Sequence, residues 1–289
     1  MKIVLLGTGG PRPDPNRMGP STLVNIGDEN MIIDAGRGAA ARVVQAGVGI
    51  TDVGHVFITH LHFDHVGGLA DLLFAAWNKG RKRTIRVYGP RGTEEMLGHL
   101  FEAYSKDIWY RLNETASTWE KLADIRGIVE VKDVEPGAVH DSGIWRASAQ
   151  HVKHGHGLGL SLNDWPCLAY KLTCDGASVV FSGDAVASPD LVDFSRDSSV
   201  LVLCCYLAGK EIIDHDTRLI SQHVLNSSLD AGKIAADANV GKLVLNHIRE
   251  KSDELLESMV EDIKKNYRGT VIVGSDLLEI PLDRSHEYP

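Results

Sequence analysis

The hexapeptide His60-Leu61-His62-Phe63-Asp64-His65 constrains this chain more than any other stretch of it. It sets three imidazoles and one carboxylate into six positions, directly after the apolar run His55-Val56-Phe57-Ile58-Thr59. Imidazole nitrogen and carboxylate oxygen are the donors that a borderline divalent ion such as Zn²⁺ prefers. A strand that stops at Thr59 delivers His60, His62 and the Asp64/His65 pair from one turn. Donors this close favour two adjacent ions over one closed tetrahedral site. Such a turn is incomplete alone, so the fold has to bring further ligands to it from other strand ends.

The bulk numbers set the class. The chain has 289 residues, 43% hydrophobic and 24% charged, with 29 Gly punctuating many short elements, as in an ordinary soluble globular protein. A net charge of −9 argues against a broad basic nucleic-acid surface, although a basic patch or a metal pair can still bind phosphate. No apolar run reaches the length of a membrane span. Met1-Lys2 leads into Ile3-Val4-Leu5-Leu6-Gly7, which Gly-Thr-Gly-Gly-Pro then breaks without a cleavage-site pattern. We read it as the first buried strand. Cys167, Cys174, Cys204 and Cys205 lack C-x-x-C spacing, and buried, reduced thiols of a cytoplasmic protein explain them.

Short β-like runs recur at 2–6, 21–26, 30–34, 55–59, 84–88, 128–133, 144–150, 167–173, 178–182, 199–205, 242–246 and 270–273. Amphipathic helical stretches lie at 68–78, 92–104, 230–239 and 252–267. Strands come in runs as well as in alternation with helices, so two mixed sheets with helices outside fit better than a doubly wound parallel sheet. Residues 105–126 form the one irregular stretch. Its Trp109, Tyr110 and Trp119 suit either a helical cap over the site or an outer packing layer. The expected organisation is one domain, 1–289, with an inserted cap at about 105–126.

Three places could complete the metal turn. Gln150-His151-Val152-Lys153-His154-Gly155-His156 follows the alternating run 144–148. Phe181-Ser182-Gly183-Asp184 ends an apolar strand in an acid behind a glycine. Leu243-Val244-Leu245-Asn246-His247 ends another in a histidine. Spacing alone does not choose among His151, His154 and His156.

The ordered set resembles the metallo-β-lactamase superfamily. Leu5-Leu6-Gly7-Thr8-Gly9-Gly10-Pro11 and the Ile33-Asp34-Ala35-Gly36 turn are similar to its ribonuclease Z and arylsulfatase-like branch. The resemblance runs from Met1 to about Leu282. It implies an α/β fold, a four-layer αββα sandwich of two mixed β-sheets with helices on the outer faces and two metals at the sheet edge. It also implies that His60, His62 and His154 hold one metal and that Asp64, His65 and His247 hold the other, with Asp184 bridging them. His154 fits the pattern Trp145-Arg146-Ala147-Ser148-Ala149-Gln150-His151-Val152-Lys153-His154 best. Asp64 would also orient the attacking hydroxide, and His223, in Ile220-Ser221-Gln222-His223, would donate a proton to the leaving group. Two features depart from the branch. Asn246 stands where Thr or Ser is usual, and the long Gly-rich basic arm that grips transfer RNA is missing; Arg81-Lys82-Arg83 reads as a solvated loop.

The expectation is therefore a dinuclear metal hydrolase of a small phosphodiester or sulfate ester, with two divalent ions, Zn²⁺ ahead of Mn²⁺ or Fe²⁺. A transfer-RNA 3′-end endonuclease is the alternative, then a lactonase, with a non-catalytic metal-binding protein last. Nucleic acid is a less favoured partner than a small ester. No membrane partner is expected, the location is cytoplasmic, and a homodimer is compatible with the fold.

Overall fold

The computed structural model describes residues 1–114 and 121–282. The described strands are β1 (Lys2–Gly7), β2 (Ser21–Ile26), β3 (Glu29–Ile33), β4 (Val53–Phe57), β5 (Ile85–Gly89), β6 (Val129–Asp133) and β7 (Gly137–Asp141), followed by β8 (Trp145–His151), β9 (Leu168–Cys174), β10 (Ala177–Phe181), β11 (Val200–Cys204), β12 (Lys242–Asn246), β13 (Thr270–Val273) and β14 (Leu278–Pro281). One seven-stranded sheet has the order β14-β1-β2-β3-β4-β5-β6, the other β13-β12-β11-β10-β9-β8-β7. Each is antiparallel in one half and parallel in the other. The parallel halves are β3 to β6 and β10 to β13.

Side-chain alternation sorts the apolar residues into layers. Ile3 and Leu5 face the layer between the sheets, with Met31, Phe57, Trp145, Tyr170 and Phe181. Val4 and Leu6 face outward, under the helices α1 (Ala39–Gln45), α2 (Phe63–Val66), α3 (Leu69–Asn78), α4 (Thr93–Ala103) and α5 (Ser105–Asn113), of which α1, α3, α4 and α5 contribute Val43, Leu72, Leu97 and Ile108 to this layer. Outside the second sheet lie α6 (Pro189–Ser195), α8 (Ser228–Asp237) and α9 (Asp253–Lys264), with Leu191, Ile234 and Ile263 buried there, and α7 (His215–His223) comes between β11 and α8 in the chain. Strands covered on both faces read as unbroken apolar runs, as Val200–Cys204 does. The result is the four-layer αββα sandwich that the sequence implies.

Two details differ from the sequence reading. Residues 105–113 are helical, with Ile108 buried while Trp109 and Tyr110 face solvent; Trp119 lies outside the described residues. The edge strands β7 and β14 have no counterpart among the expected runs. Both are short and carry polar residues, Gly or Pro, which blunt a sheet edge against further pairing and erase the apolar signal.

The sheets are tied together where β4 and β9 meet. The Leu168 N–H donates to the Thr59 carbonyl at 2.8 Å, and the buried Tyr170 hydroxyl donates to the Ile58 carbonyl at 3.0 Å. This fixes the residues just past β4 against the second sheet. No helix among the described residues is long and apolar enough to cross a membrane.

Candidate metal centre

Four strand ends converge at this seam. His60, His62, Asp64 and His65 come from the turn after β4 and from α2, His154 from the loop after β8, Asp184 from beyond β10, and His247 from beyond β12. Local backbone geometry makes the approach close. Gly183 has φ +56°, and a Cβ there would stand 2.7 Å from the Thr59 Cβ, so only glycine lets the chain turn Asp184 inward at this point. His247 itself sits at φ +55°, a conformation uncommon for a non-glycine residue and one that collects at functional sites.

The donor atoms fall into two groups that share Asp184. In one, His62 Nδ1 lies 3.0 Å from His60 Nε2 and 3.1 Å from His154 Nε2. Asp184 Oδ2 is 3.7 Å from His154 Nε2 and 4.0 Å from His60 Nε2. In the other, Asp64 Oδ2 stands 3.3 Å from His247 Nε2 and 3.9 Å from His65 Nε2. Asp184 reaches this group as well, with Oδ1 3.5 Å from His65 Nε2 and Oδ2 3.4 Å from His247 Nε2.

These residues fit divalent ions. Nitrogens bound tetrahedrally to Zn²⁺ at about 2.0–2.1 Å stand roughly 3.3 Å apart, close to the spacing of the three imidazoles. His65 Nε2 and Asp184 Oδ1 are buried without a hydrogen-bond partner. Each such atom costs about 1–3 kcal/mol unless something else pairs with it, and a cation between the facing donors does so. Charge is arranged accordingly. Burial, reinforced by His65, holds His60 well below the ordinary imidazole range, leaving its lone pair free. Burial opposes charge on His65 too, but Asp34 and Asp184 outweigh it and hold that imidazole well above the usual range, a proton that a bound ion would displace. Burial likewise opposes ionisation of Asp184, yet His247 and His65 keep its carboxyl well below the usual range.

A supporting shell, unread in the sequence, aims the ligands. Asp34 Oδ2 pairs with His65 Nδ1 at 2.8 Å and accepts from the Thr59 hydroxyl at 2.9 Å, while Oδ1 accepts from the Thr59 N–H at 2.8 Å. The Val224 carbonyl pairs with His154 Nδ1 at 2.7 Å. Each contact selects a tautomer and leaves the other nitrogen facing the centre. Trp165 tilts over His62 with ring centroids 4.7 Å apart. Asp34 had a signal, an acid ending an apolar strand before Ala-Gly; the carbonyl and Trp165 had none.

The other candidate histidines, His151, His156 and His223, are not among the clustered donors. His151, the last residue of β8, faces Glu135 at 3.5 Å. His156 Nδ1 accepts from the His154 N–H at 2.9 Å, and its Nε2 pairs with the Trp165 carbonyl, so it braces the loop. His223 ends α7, beside Val224; a Cβ at Gly157 would stand 2.9 Å from its Nδ1. All four cysteines are free and buried. Cys204 lies against Asp184 and His247, and burial, with Asp184 adding to it, pushes its thiol well up, which disfavours a nucleophilic thiolate.

Comparison with known proteins gives the family and the fold. The model of the family Anti-Pycsar protein Apyc1 matches residues 1–224. Ribonuclease Z of Mycobacterium marinum is 32% identical over 257 residues, 86% of each chain. Ribonuclease Z of Mycolicibacterium paratuberculosis is 30% identical over 297 residues, 98% of this chain and 99% of that one. Among solved structures, the metallo-β-lactamase fold protein YhfI of Bacillus subtilis superposes with TM-score 0.74 at 19% identity, covering 96% of this chain and 98% of that one. The short form of human tRNase Z does so with TM-score 0.71 at 19% identity, covering 98% and 100%.

Proposed function

The chain belongs to the metallo-β-lactamase superfamily, in the branch of ribonuclease Z and the Apyc1 anti-Pycsar proteins, and from that premise we propose a two-metal phosphodiesterase that cuts RNA precursors in the manner its relatives' name implies. The carrying observation is Asp184, whose carboxylate reaches both histidine groups. RNA is favoured over the small ester expected from the sequence because the relatives named ribonuclease Z align from end to end. A missing arm therefore does not set this chain apart from them. A small phosphodiester is the second reading, favoured by the net charge of −9.

His60, His62 and His154 would hold one ion, and Asp64, His65 and His247 the other, with Asp184 between them. Two divalent ions here, Zn²⁺ by the donor set, supply a water acidified toward neutrality and a hold on the phosphoryl oxygens. Around them the chain does the positioning. Asp64, beyond holding the ion, would accept a hydrogen bond from the attacking water and align it with phosphorus. Asp34 and the Val224 carbonyl keep His65 and His154 from rotating away. His223, beside Val224, delivers a proton to the departing oxygen. Four free, buried thiols accord with a cytoplasmic setting.

The test is turnover by metal-loaded protein on a 3′-extended transfer-RNA precursor, beside bis(p-nitrophenyl) phosphate, p-nitrophenyl sulfate and a simple lactone, each with a chelated control. Chelator-sensitive cleavage of the precursor at its 3′ end supports the reading. Cleavage confined to the small phosphodiester moves the assignment to the second reading, and activity on the sulfate or lactone alone refutes both. His223→Ala is expected to lower kcat about 100-fold on RNA, the low end for a general acid, and far less with p-nitrophenolate, which leaves without a proton. Equal losses on the two substrates would remove His223 from that role.

A further inference from the structure

A second cleft adjoins the metal centre and is used by none of the ligands. Its volume is about 140 Å³, and its walls include Gly10, Arg12, Asp14, Tyr206, Arg249 and Glu250. Strand register places it. β11 and β12 run parallel with Cys204 opposite Asn246, so the residues just past each strand, Tyr206 and Arg249, emerge side by side. The Tyr206 backbone is pinned by its N–H donating to the Asn226 carbonyl at 2.9 Å. Its ring centroid lies 6.1 Å from that of His247, and the Arg249 guanidinium carbon stands 5.4 Å from the same ring centroid. Gly10 belongs both to the cleft and to the ring contact, because a Cβ there would be 3.0 Å from His247 Cε1. The cleft therefore opens beside a metal ligand.

Its chemistry selects shape and stacking over charge. Two guanidinium groups, Arg12 and Arg249, are offset by two carboxylates, Asp14 and Glu250. Arg249 is further engaged by Glu211, which also binds Lys251. A wall with balanced charge gives a second phosphate little advantage. What it does present is an aromatic face, a planar guanidinium and hydrogen-bond acceptors. A planar heterocycle with donors and acceptors on its edge matches that set. The volume lies well below the roughly 300–1,000 Å³ of a site for a drug-sized ligand, which is the scale of one ring system.

We infer that the Tyr206–Arg249 cleft is a nucleobase subsite, holding the base of the nucleotide next to the scissile phosphate by stacking on Tyr206 beside the Arg249 guanidinium. This deepens the nucleic-acid reading above and rests on it. Tyr206 and Arg249 are thus binding residues that set which group flanks the reacting phosphorus.

The test compares equilibrium binding of 5′-AMP and of inorganic phosphate to the metal-loaded full chain by calorimetry. The ratio of the two dissociation constants isolates the base from the metal-bound phosphate. The wild type is expected to bind AMP more tightly than phosphate. Tyr206→Leu, which keeps apolar bulk beside His247 but removes the ring, should shrink that preference about tenfold, and Tyr206→Phe should retain it. Arg249→Ala should reduce it as well. A ratio unchanged in Tyr206→Leu, or a wild type without preference for AMP, overturns the subsite. The outcome is separable from that of the parent reading. Precursor cleavage with an unchanged ratio sinks the subsite alone. A Tyr206-dependent ratio in a protein that leaves RNA intact upholds the subsite and sinks the RNA substrate.

Discussion

Two groups of histidines lie along one strand, one around the buried His55 in the layer between the sheets and one around the buried His60 just past the strand's end. Five residues of extended chain put them about 16 Å apart. Around His55 the imidazoles serve as flat rings. His55 stacks on Tyr88, meets Trp145 edge-on at 5.1 Å, and lies 4.7 Å from His140, whose Nδ1 pairs with the Tyr88 hydroxyl at 3.0 Å. Around His60 the nitrogens face other nitrogens, with a carboxylate between them. His55 Nδ1 also lacks a hydrogen-bond partner, yet among the described residues His55 joins no group of potential ligands. Each place holds a buried imidazole, His55 or His60, with other histidines beside it. The convergence of lone pairs distinguishes a metal centre from aromatic packing.

The sharpest way to break the comparison is to remove the shared carboxylate. Asp184→Ala is expected to lose metal and to lower turnover by more than the roughly 10–100-fold that an outer hydrogen-bond partner costs. His55→Phe should keep full metal content and turnover. Elemental analysis beside a phosphodiester assay decides it, and equal damage from both substitutions would erase the distinction drawn here.

A smaller effect belongs to the supporting shell. Asp34→Asn keeps the shape but weakens the hold on His65 Nδ1, with an expected loss of about 10–100-fold in metal affinity or activity. Unaltered affinity in a competition titration with a chromogenic chelator would show that Asp34 only braces Thr59.

The smallest effect concerns stability around His55. Burial, with His140 adding to it, lowers this imidazole to about 4. The unfolded chain therefore takes up the proton first as pH falls, and the native state loses stability progressively from about pH 6.5 toward 4. The difference between pH 7 and pH 5 is roughly 2 kcal/mol. His55→Phe should flatten that segment of the urea-unfolding profile by a similar amount. Parallel profiles for the variant and the wild type would mean that folding leaves the proton affinity of the ring unchanged.

How much of this was legible depended on whether the information is local. His60, His62, Asp64 and His65 announce themselves because one turn carries them all. Asp184 and His247 do so because each ends an apolar strand. The central strands could be read for the same reason, being apolar on both faces. The edge strands β7 and β14 could not, since Gly137, His140, Asp141, Glu279 and Pro281 break any apolar run, whereas the other edges, β6 and β13, keep an apolar alternation or run. Choosing among His151, His154 and His156 turned on where β8 stops, which pairing with β9 decides. The Asp34–His65 contact joins residues 31 apart through packing, and the Val224 carbonyl is a main-chain atom that any residue type supplies. The Tyr206–Arg249 cleft exists only because β11 and β12 are neighbours in space.

The central claim is that two divalent ions, shared by Asp184, perform phosphodiester hydrolysis. Its most direct test is a Zn²⁺ titration of chelator-stripped protein, with bound metal and phosphodiester turnover followed on the same samples. The account predicts saturation at two ions per chain, with turnover rising as the second binds. Full turnover in the stripped protein, or saturation at a single ion, would contradict it.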